Sequence, residues 1–194
     1  PMQTSQPAAA ASAKDLLLLG DLHACAVACA AAGRPPATAV ASDAPRLAVE
    51  VQALHGLGRR SEAVGIVRAC YLGDGGERRE GLLDDFELLV VSFSLLLDYN
   101  LADDAEHLLL KLTHRARSRP STSPSSLTAP QLDHFLDTYL AEIAPTRPQH
   151  SLARLSAILN STPAVFSTEA TDKARGRLEE LAAKAAGGVA RVSE

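Results

Sequence analysis

The stretch VQALHGLGRRSEAV, residues 51–64, decides the fold class of this chain. It predicts the end of one helix over residues 45–57, a tight turn at Gly58, and a second helix over residues 61–72 with Ser61 as its N-cap. Glycine suits the turn because it adopts positive φ at no steric cost. Since the chain reverses within a few residues, the two helices are expected to pack side by side as an antiparallel hairpin.

The same arrangement recurs twice more, in LGDLHAC at residues 19–25 and in YNLADDA at residues 99–105. Each corner places a residue that tolerates positive φ five positions before a small residue, which lets the next helix approach closely. The pairs are Gly20 and Cys25, Gly58 and Ala63, and Asn100 and Ala105. Their spacing of 38 and 42 residues exceeds the 34 of a tetratricopeptide repeat, and the aromatic signature positions of that repeat are missing. An ordinary bundle of α-hairpins therefore stands beside the repeat interpretation.

Further helices are predicted along the rest of the chain from the helical spacing of apolar residues and from Gly and Pro stop signals. They cover residues 14–32, 80–99, 101–117, 131–144, 148–159 and 168–186, the last as a surface or capping helix. No stretch alternates apolar and polar residues over the length of a strand. The predicted fold class is therefore all-α, a tetratricopeptide-like stack of antiparallel helical hairpins.

A single α-helical domain is predicted over residues 13–186. Residues 1–12, which are rich in Ala, are expected to form a disordered tail, and residues 187–194 a flexible one. The Ser/Pro segment SRPSTSPSSLTAP, residues 118–130, is expected to be a mobile loop within the domain.

The composition favours a core of Leu, Ala and Val, because 46% of the residues are hydrophobic but only 4% are aromatic. No block of basic residues with interleaved aromatics accompanies the net charge of −4, so nucleic acid is not an expected partner. Three cysteines make an odd set, which predicts free thiols and a reducing compartment. The longest apolar run falls well short of the ~20 residues that span a bilayer.

The cysteines and histidines of this chain are candidate zinc ligands. Cys25 and Cys29 stand four residues apart with His23 close by. A zinc site needs four convergent ligands and no second pair is near in sequence, so small core residues are the favoured interpretation. Other histidines are expected at the surface or at helix edges; they are His55, His107 and His114. Neither a metal site nor a cofactor is predicted.

No catalytic constellation is recognisable in the sequence. The carboxylate pairs Asp84-Asp85 and Asp103-Asp104 are expected in the first turns of helices, where the helix dipole favours them. The segment GDGG, residues 73–76, lacks the Lys and the Ser or Thr of a phosphate-binding loop and follows no predicted strand. The prediction is therefore that the chain is not an enzyme, with an enzyme of another helical type as the contrasting alternative.

Two stretches resemble one known family. Residues 15–29, DLLLLGDLHACAVAC, are similar to its opening helix pair, and residues 51–64 to its V-Q-x-L-x-G-L-G-R corner. DTYL at residues 137–140 is similar to part of a later helix. The family is that of the peroxisomal tail-anchored peroxins, represented by peroxin twenty-six in mammals and fungi and by the aberrant-peroxisome-morphology protein in plants.

The resemblance implies an α-helical cytosolic domain of an adaptor that recruits a hexameric AAA ATPase to the cytosolic face of the peroxisomal membrane. That ATPase recycles import receptors during matrix-protein import. The family carries a C-terminal membrane anchor, so the natural protein is expected to continue into an apolar segment, which residues 1–194 do not contain.

Four residues are predicted to contact the partner if the resemblance holds: Leu16, Leu17, Arg59 and Arg60. The contrasting interpretations are core packing for the two leucines and a solvated turn for the two arginines. The alternative function is a general cytosolic, tetratricopeptide-like scaffold for protein interactions.

Overall fold

The computed structural model describes residues 12–72, 81–118, 127–161 and 165–190. Within these ranges the chain forms nine α-helices and no β-strand, which confirms the all-α prediction. In chain order the helices are α1 (Ala13–Leu18), α2 (Leu22–Ala32), α3 (Ala44–Gly56), α4 (Arg60–Val67), α5 (Phe86–Asp98), α6 (Ala102–Ser118), α7 (Ala129–Thr138), α8 (Pro148–Ser161) and α9 (Thr168–Ala190). Two short π-helical segments, Arg68–Leu72 and Tyr139–Ile143, prolong α4 and α7.

The odd-numbered helices form a row in which each contacts the next, from α1 through α3, α5 and α7 to α9. Each even-numbered helix connects two neighbouring helices of this row along the chain. Of these, α2 packs on α3, α6 on α7 and α8 on α9. One continuous apolar core runs through the row, and leucines form most of its largest buried side chains. Phe93 and Phe135 join α5 to α7 through a T-shaped contact with 5.5 Å between ring centroids.

The three predicted corners share one backbone geometry. Gly20, Gly58 and Asn100 have φ of 78°, 70° and 56°, and they are the positive-φ residues of the described ranges. At each corner the next amide donates to a carbonyl five residues back: Asp21 to Leu16, Arg59 to Leu54, and Leu101 to Leu96. The small residues after them are fully buried: Cys25, Ala63 and Ala105. The predicted turn at each corner is thereby confirmed, and the small residue that follows it lies in the core.

Three predicted helix starts are wrong. Helix α7 begins at Ala129 rather than at residue 131, because Pro130 suits the first turn of a helix and Thr128 takes the cap position. Helix α4 begins at Arg60, because the Arg59 carbonyl already accepts the first helical hydrogen bond, so Ser61 lies inside the first turn and is not the N-cap. Helix α5 begins at Phe86 rather than at residue 80. Asp85 caps it by accepting a hydrogen bond from the Leu88 amide at 2.8 Å, and residues 81–84 form a separate 3-10 turn.

The first and last helical blocks also differ from prediction. The block expected over residues 14–32 is divided into α1 and α2 at the Gly20 corner, as that predicted corner requires. Ser12, expected in the tail, caps α1. Helix α9 continues past residue 186 to Ala190. It buries Ala170, Ala174 and Leu181, so it belongs to the core and is not only a surface helix.

Some predictions fall on residues outside the described ranges. The first eleven residues and residues 191–194 of the predicted tails lie there, as do residues 73–76 and residues 119–126 of the predicted loop.

Candidate functional site

An open, mainly apolar groove lies between α2 and α4, with residues of α3 also in its lining. Its volume is about 850 Å³. Small side chains dominate the α2 wall, with Ala26, Ala30 and Ala31, and Gly65 is the small residue of the α4 wall. This surface is called the α2–α4 groove below.

The groove is open because small residues line it. A Cβ placed on Gly65 would meet no atom within 4 Å, and the Val27 side chain on the other wall is 56% exposed. Concave apolar surface of this kind is costly to leave in water, and in folded proteins it commonly marks a binding site.

A largely buried ion pair joins the groove to the end of α2. Arg46 Nη1 donates to Glu50 Oε2 at 2.7 Å and to the Cys29 carbonyl oxygen at 3.1 Å. Burial raises the pKa of Glu50, and the Arg46 guanidinium opposes that rise. Burial also raises the pKa of the Cys29 thiol to about 12, so this thiol stays protonated at neutral pH. Cys25 and Cys29 are both fully buried, which confirms their prediction as small core residues.

Arg59 is the one of the four predicted partner-binding residues that lines the groove. Its Nε donates to Glu62 Oε1 at 2.6 Å, and its Nη2 donates to the other oxygen of the same carboxylate. Both side chains are about half exposed (42% and 51%), so the pair lies at the rim. An exposed ion pair of this kind is weak, so a partner's charged group could exchange with either member.

Arg60 lies in the corner between helices rather than in the groove. Its Nη2 donates to the Tyr99 carbonyl oxygen at 2.8 Å, and its guanidinium carbon lies 4.7 Å from the centroid of the Tyr99 ring. The side chain therefore fastens the start of α4 to the end of α5 by a hydrogen bond and a cation–π contact.

Leu16 and Leu17 pack against the core and are only partly buried. Neither lines the groove. The most exposed leucines of the described residues follow them directly, since Leu18 and Leu19 are each 78% exposed. The surroundings of Leu16 and Leu17 therefore fit the contrasting interpretation, which is packing against the core.

A polar cluster that sequence reasoning missed joins α6, the π-helical segment after α7, and α8. Its centre is Glu106, which is 4% exposed. The Tyr139 hydroxyl donates to Glu106 Oε1 at 3.1 Å, and His150 Nε2 lies 2.7 Å from Oε2. Asp103, one turn earlier on α6, has a side chain that is 77% exposed and is paired with Arg147. Burial raises the pKa of Tyr139, which keeps its hydroxyl available as a donor.

Among the described residues, Asp103, Glu106 and His150 are the group of potential metal ligands that converges. One ligand atom from each lies within 4.8 Å of the other two. The one indication in the sequence was the i, i+3 spacing of Asp103 and Glu106, which puts both on one helix face. His150 lies 44 residues after Glu106, and only the packing of α8 brings it there.

His55 lies at a helix edge, as predicted, and links α3 to the end of α5. Its Nδ1 is 2.9 Å from the Tyr99 hydroxyl, and its Nε2 is 3.3 Å from Asp98. The side chain is 41% exposed.

No helix in the described ranges has both the length and the apolar character needed to cross a membrane. Comparisons of the chain with protein-family models, with curated proteins and with solved structures gave no match. Function is therefore inferred from the α2–α4 groove and from the Glu106 cluster.

Proposed function

We propose that this chain is a protein-interaction domain that binds an apolar, helical segment of a partner protein in the α2–α4 groove. The observation that carries this proposal is an open groove of about 850 Å³ lined mainly by apolar side chains. Its charged lining residues are Glu50, Arg59 and Glu62, and each of them already has an ion-pair partner within the chain. Such a surface is better suited to burying the apolar side chains of a partner than to catalysing a reaction.

The walls of the groove fit a short amphipathic helix. Helix α2 has 11 residues and α4 has 8, so the walls extend roughly 12–16 Å at 1.5 Å per residue. That length matches about two to three turns of a partner helix. Ala30 on one wall and Gly65 on the other leave room for the partner backbone to approach closely.

The scaffold in this proposal is a tetratricopeptide-like stack of hairpins. Two observations support it. Each of the three corners has a residue with positive φ and a backbone hydrogen bond to a carbonyl five residues back. The odd-numbered helices also form a continuous row. In stacks of this type each hairpin contacts mainly its neighbours, and the extended surface that results is used to bind other proteins.

A narrower candidate is recruitment of a hexameric AAA ATPase to the cytosolic face of the peroxisomal membrane, as the resemblance to the tail-anchored peroxins implies. The observation that favours it is where the two similar stretches lie. Residues 51–64 supply Leu54 and Arg59 to the groove, and residues 15–29 supply Val27 to the opposite wall. The two stretches therefore meet at one surface. The wider scaffold proposal does not depend on this partner.

Val27→Asp and Leu19→Asp form a matched pair that tests both candidates. Val27 lies in the groove and Leu19 outside its lining, and both side chains are more than half exposed, so neither substitution should disturb the core. The wild type and both variants are titrated with the purified peroxisomal AAA ATPase in the presence of ATP. Recruitment predicts binding by the wild type and by Leu19→Asp, with a loss of at least about tenfold for Val27→Asp.

A wild type that does not bind the ATPase rejects the narrower candidate alone. The wider proposal is then tested by affinity purification from a lysate, with the retained proteins identified by mass spectrometry. Selective loss of a partner from Val27→Asp, but not from Leu19→Asp, supports the groove. Identical sets of retained proteins on both variants reject it.

A further inference from the structure

We propose that Asp103, Glu106 and His150 form a binding site for Zn²⁺, independent of the α2–α4 groove. The three side chains offer two carboxylate oxygens and one imidazole nitrogen, all within 4.8 Å of one another. Carboxylate oxygen and imidazole nitrogen are both zinc ligands, and zinc sites with three protein ligands leave the fourth position to water.

The backbone holds the three ligands on two rigid elements. Asp103 and Glu106 stand three positions apart in the first turns of α6, so they share one face of that helix. His150 lies in the first turn of α8. Zinc bonds of about 2.0–2.2 Å place tetrahedral ligand atoms roughly 3.3 Å apart. Glu106 and His150, now 2.7 Å apart, would separate slightly, and the exposed Asp103 carboxylate would swing inward.

Glu106 is the reason to expect a cation at this position. Its carboxylate is nearly buried, and its hydrogen-bond partners among the described side chains are the Tyr139 hydroxyl and the His150 ring. Among the described side chains, no Arg or Lys forms an ion pair with the Glu106 carboxylate. Buried carboxylates are ordinarily paired with a fixed cation or a metal. The Tyr139 hydroxyl holds Oε1 and leaves Oε2 directed at His150, as an outer-shell partner orients a metal ligand.

Access to the cluster is open on one side. The side chains of His150 and Asp103 are 45% and 77% exposed, so an ion can enter from solvent. Arg147 competes with it, because its Nη1 donates to Asp103 Oδ1. Since this ion pair is exposed, displacing it costs little.

The ligand set selects among metals. One imidazole with two carboxylates suits zinc and neighbouring transition ions, whereas Mg²⁺ and Ca²⁺ prefer oxygen ligands throughout. Zn²⁺ is therefore the probe, and Mg²⁺ is the negative control.

The test is calorimetric titration of the full chain with Zn²⁺, after any bound metal has been removed with a chelator. The wild type is compared with Asp103→Asn and with two matched controls on the same helix, Asp104→Asn and His107→Ala. Asp104 pairs with Arg68, and His107 is exposed. Circular dichroism checks that each variant is folded. Asp103→Asn should lower the affinity by at least about tenfold, and the two controls should change it by less than about twofold.

Arg147→Gln gives a result that a merely structural cluster would not produce. Removing the competing guanidinium frees Asp103, so the Zn²⁺ affinity should rise by about two- to fivefold, the ratio expected for an exposed ion pair. The proposal is overturned if the wild type shows no saturable Zn²⁺ binding or binds Mg²⁺ equally well. It is also overturned if Asp103→Asn binds like the wild type, if the controls weaken binding as much, or if Arg147→Gln does not raise the affinity.

Discussion

The Arg46 guanidinium lies so close to Gly33 that a Cβ at position 33 would be 2.0 Å from Arg46 Nε. The φ of Gly33 is −139°, an ordinary extended value, so this glycine provides space rather than an unusual backbone conformation. The space lets Arg46 reach from α3 to the end of α2, where it donates to the carbonyl oxygens of Cys29 and Arg34 at 3.1 and 2.9 Å. The Cys29 carbonyl is one of the last four of α2, which the end of a helix leaves without a partner in the next turn, and the Arg34 carbonyl lies just past that end.

Gly33→Ala should therefore lower the stability of the fold. The new methyl group displaces the Arg46 guanidinium and breaks its hydrogen bonds to the end of α2. We expect a loss of about 1–2 kcal/mol in the free energy of unfolding, measured by urea denaturation.

Gly65→Ala is the matched control for this substitution. Gly65 lies inside α4, and a Cβ there would meet nothing within 4 Å. Alanine has the higher helix propensity, so this variant should gain up to about 1 kcal/mol. Equal effects at the two positions would contradict the role assigned to the Arg46 contact.

The corner glycine Gly58 should respond differently from Asn100. Gly58→Ala forces a Cβ into φ of 70° and should cost about 1–2 kcal/mol. Asn100→Gly relieves the same strain but increases the freedom of the unfolded chain, so its net effect should stay within about 0.5 kcal/mol. Urea denaturation of both variants measures the difference. A Gly58→Ala variant as stable as the wild type would mean that the corner tolerates another geometry.

Much of the fold could be predicted because its corners are local. A residue that tolerates positive φ, followed five places later by a small one, is visible in sequence at Gly20, Gly58 and Asn100, and the structure has positive φ at all three. Helix starts were harder to predict, because several nearby residues can act as caps. Asp85 is the N-cap of α5, so this helix begins at Phe86 and not at residue 80. The Arg59 carbonyl accepts the first helical hydrogen bond of α4, although Ser61 was expected as the N-cap.

The candidate sites could be predicted only in part. Arg59 follows a recognisable corner, and it does line the groove. The groove depends on which small residues of α2 and α4 are left uncovered, and sequence spacing does not show this. The Glu106 cluster joins residues 33 and 44 positions apart, so its members come together only through the packing of three elements.

The three thiols should be inert in the folded protein. Cys25, Cys29 and Cys70 are all buried, and burial raises the pKa of the first two. A thiol-reactive dye at mildly alkaline pH should label none of them until denaturant is added, after which all three should react. Leu19→Cys is the positive control, since position 19 is 78% exposed and should be labelled at once. Rapid labelling of the wild type would contradict the buried positions.

Tyr139→Phe should be more destabilising than Tyr99→Phe. The Tyr139 hydroxyl donates a hydrogen bond to the nearly buried Glu106 carboxylate. When the hydroxyl is removed, Glu106 Oε1 loses this hydrogen-bond donor. We expect a cost of about 1.5–3 kcal/mol, the range for hydrogen bonds to charged groups. The Tyr99 hydroxyl contacts His55 in a partly exposed position, so Tyr99→Phe should cost only about 0.5–1 kcal/mol. Urea denaturation compares the two variants, and equal losses would contradict the importance of the buried bond.

Glu50 and Asp15 should affect the pH dependence of stability in opposite directions. Burial raises the pKa of Glu50 above its ordinary value of 4.5, so the folded state binds this proton more tightly than the unfolded chain does. The contribution of Glu50 to stability is then greatest below its unfolded pKa and declines as pH rises through its folded pKa. The stability of the wild type relative to Glu50→Gln should therefore fall as the pH rises above about 4.5.

Asp15 supplies the contrasting case. Hydrogen bonds from the Ser12 side chain and backbone lower the pKa of Asp15, so its contribution is present above its unfolded pKa and is lost as pH falls through its folded pKa. The stability of the wild type relative to Asp15→Asn should therefore rise with pH across the acid range. Urea denaturation at a series of pH values measures both differences. If the Glu50 difference also rose with pH, the Arg46 ion pair would outweigh burial, and the raised pKa of Glu50 would be wrong.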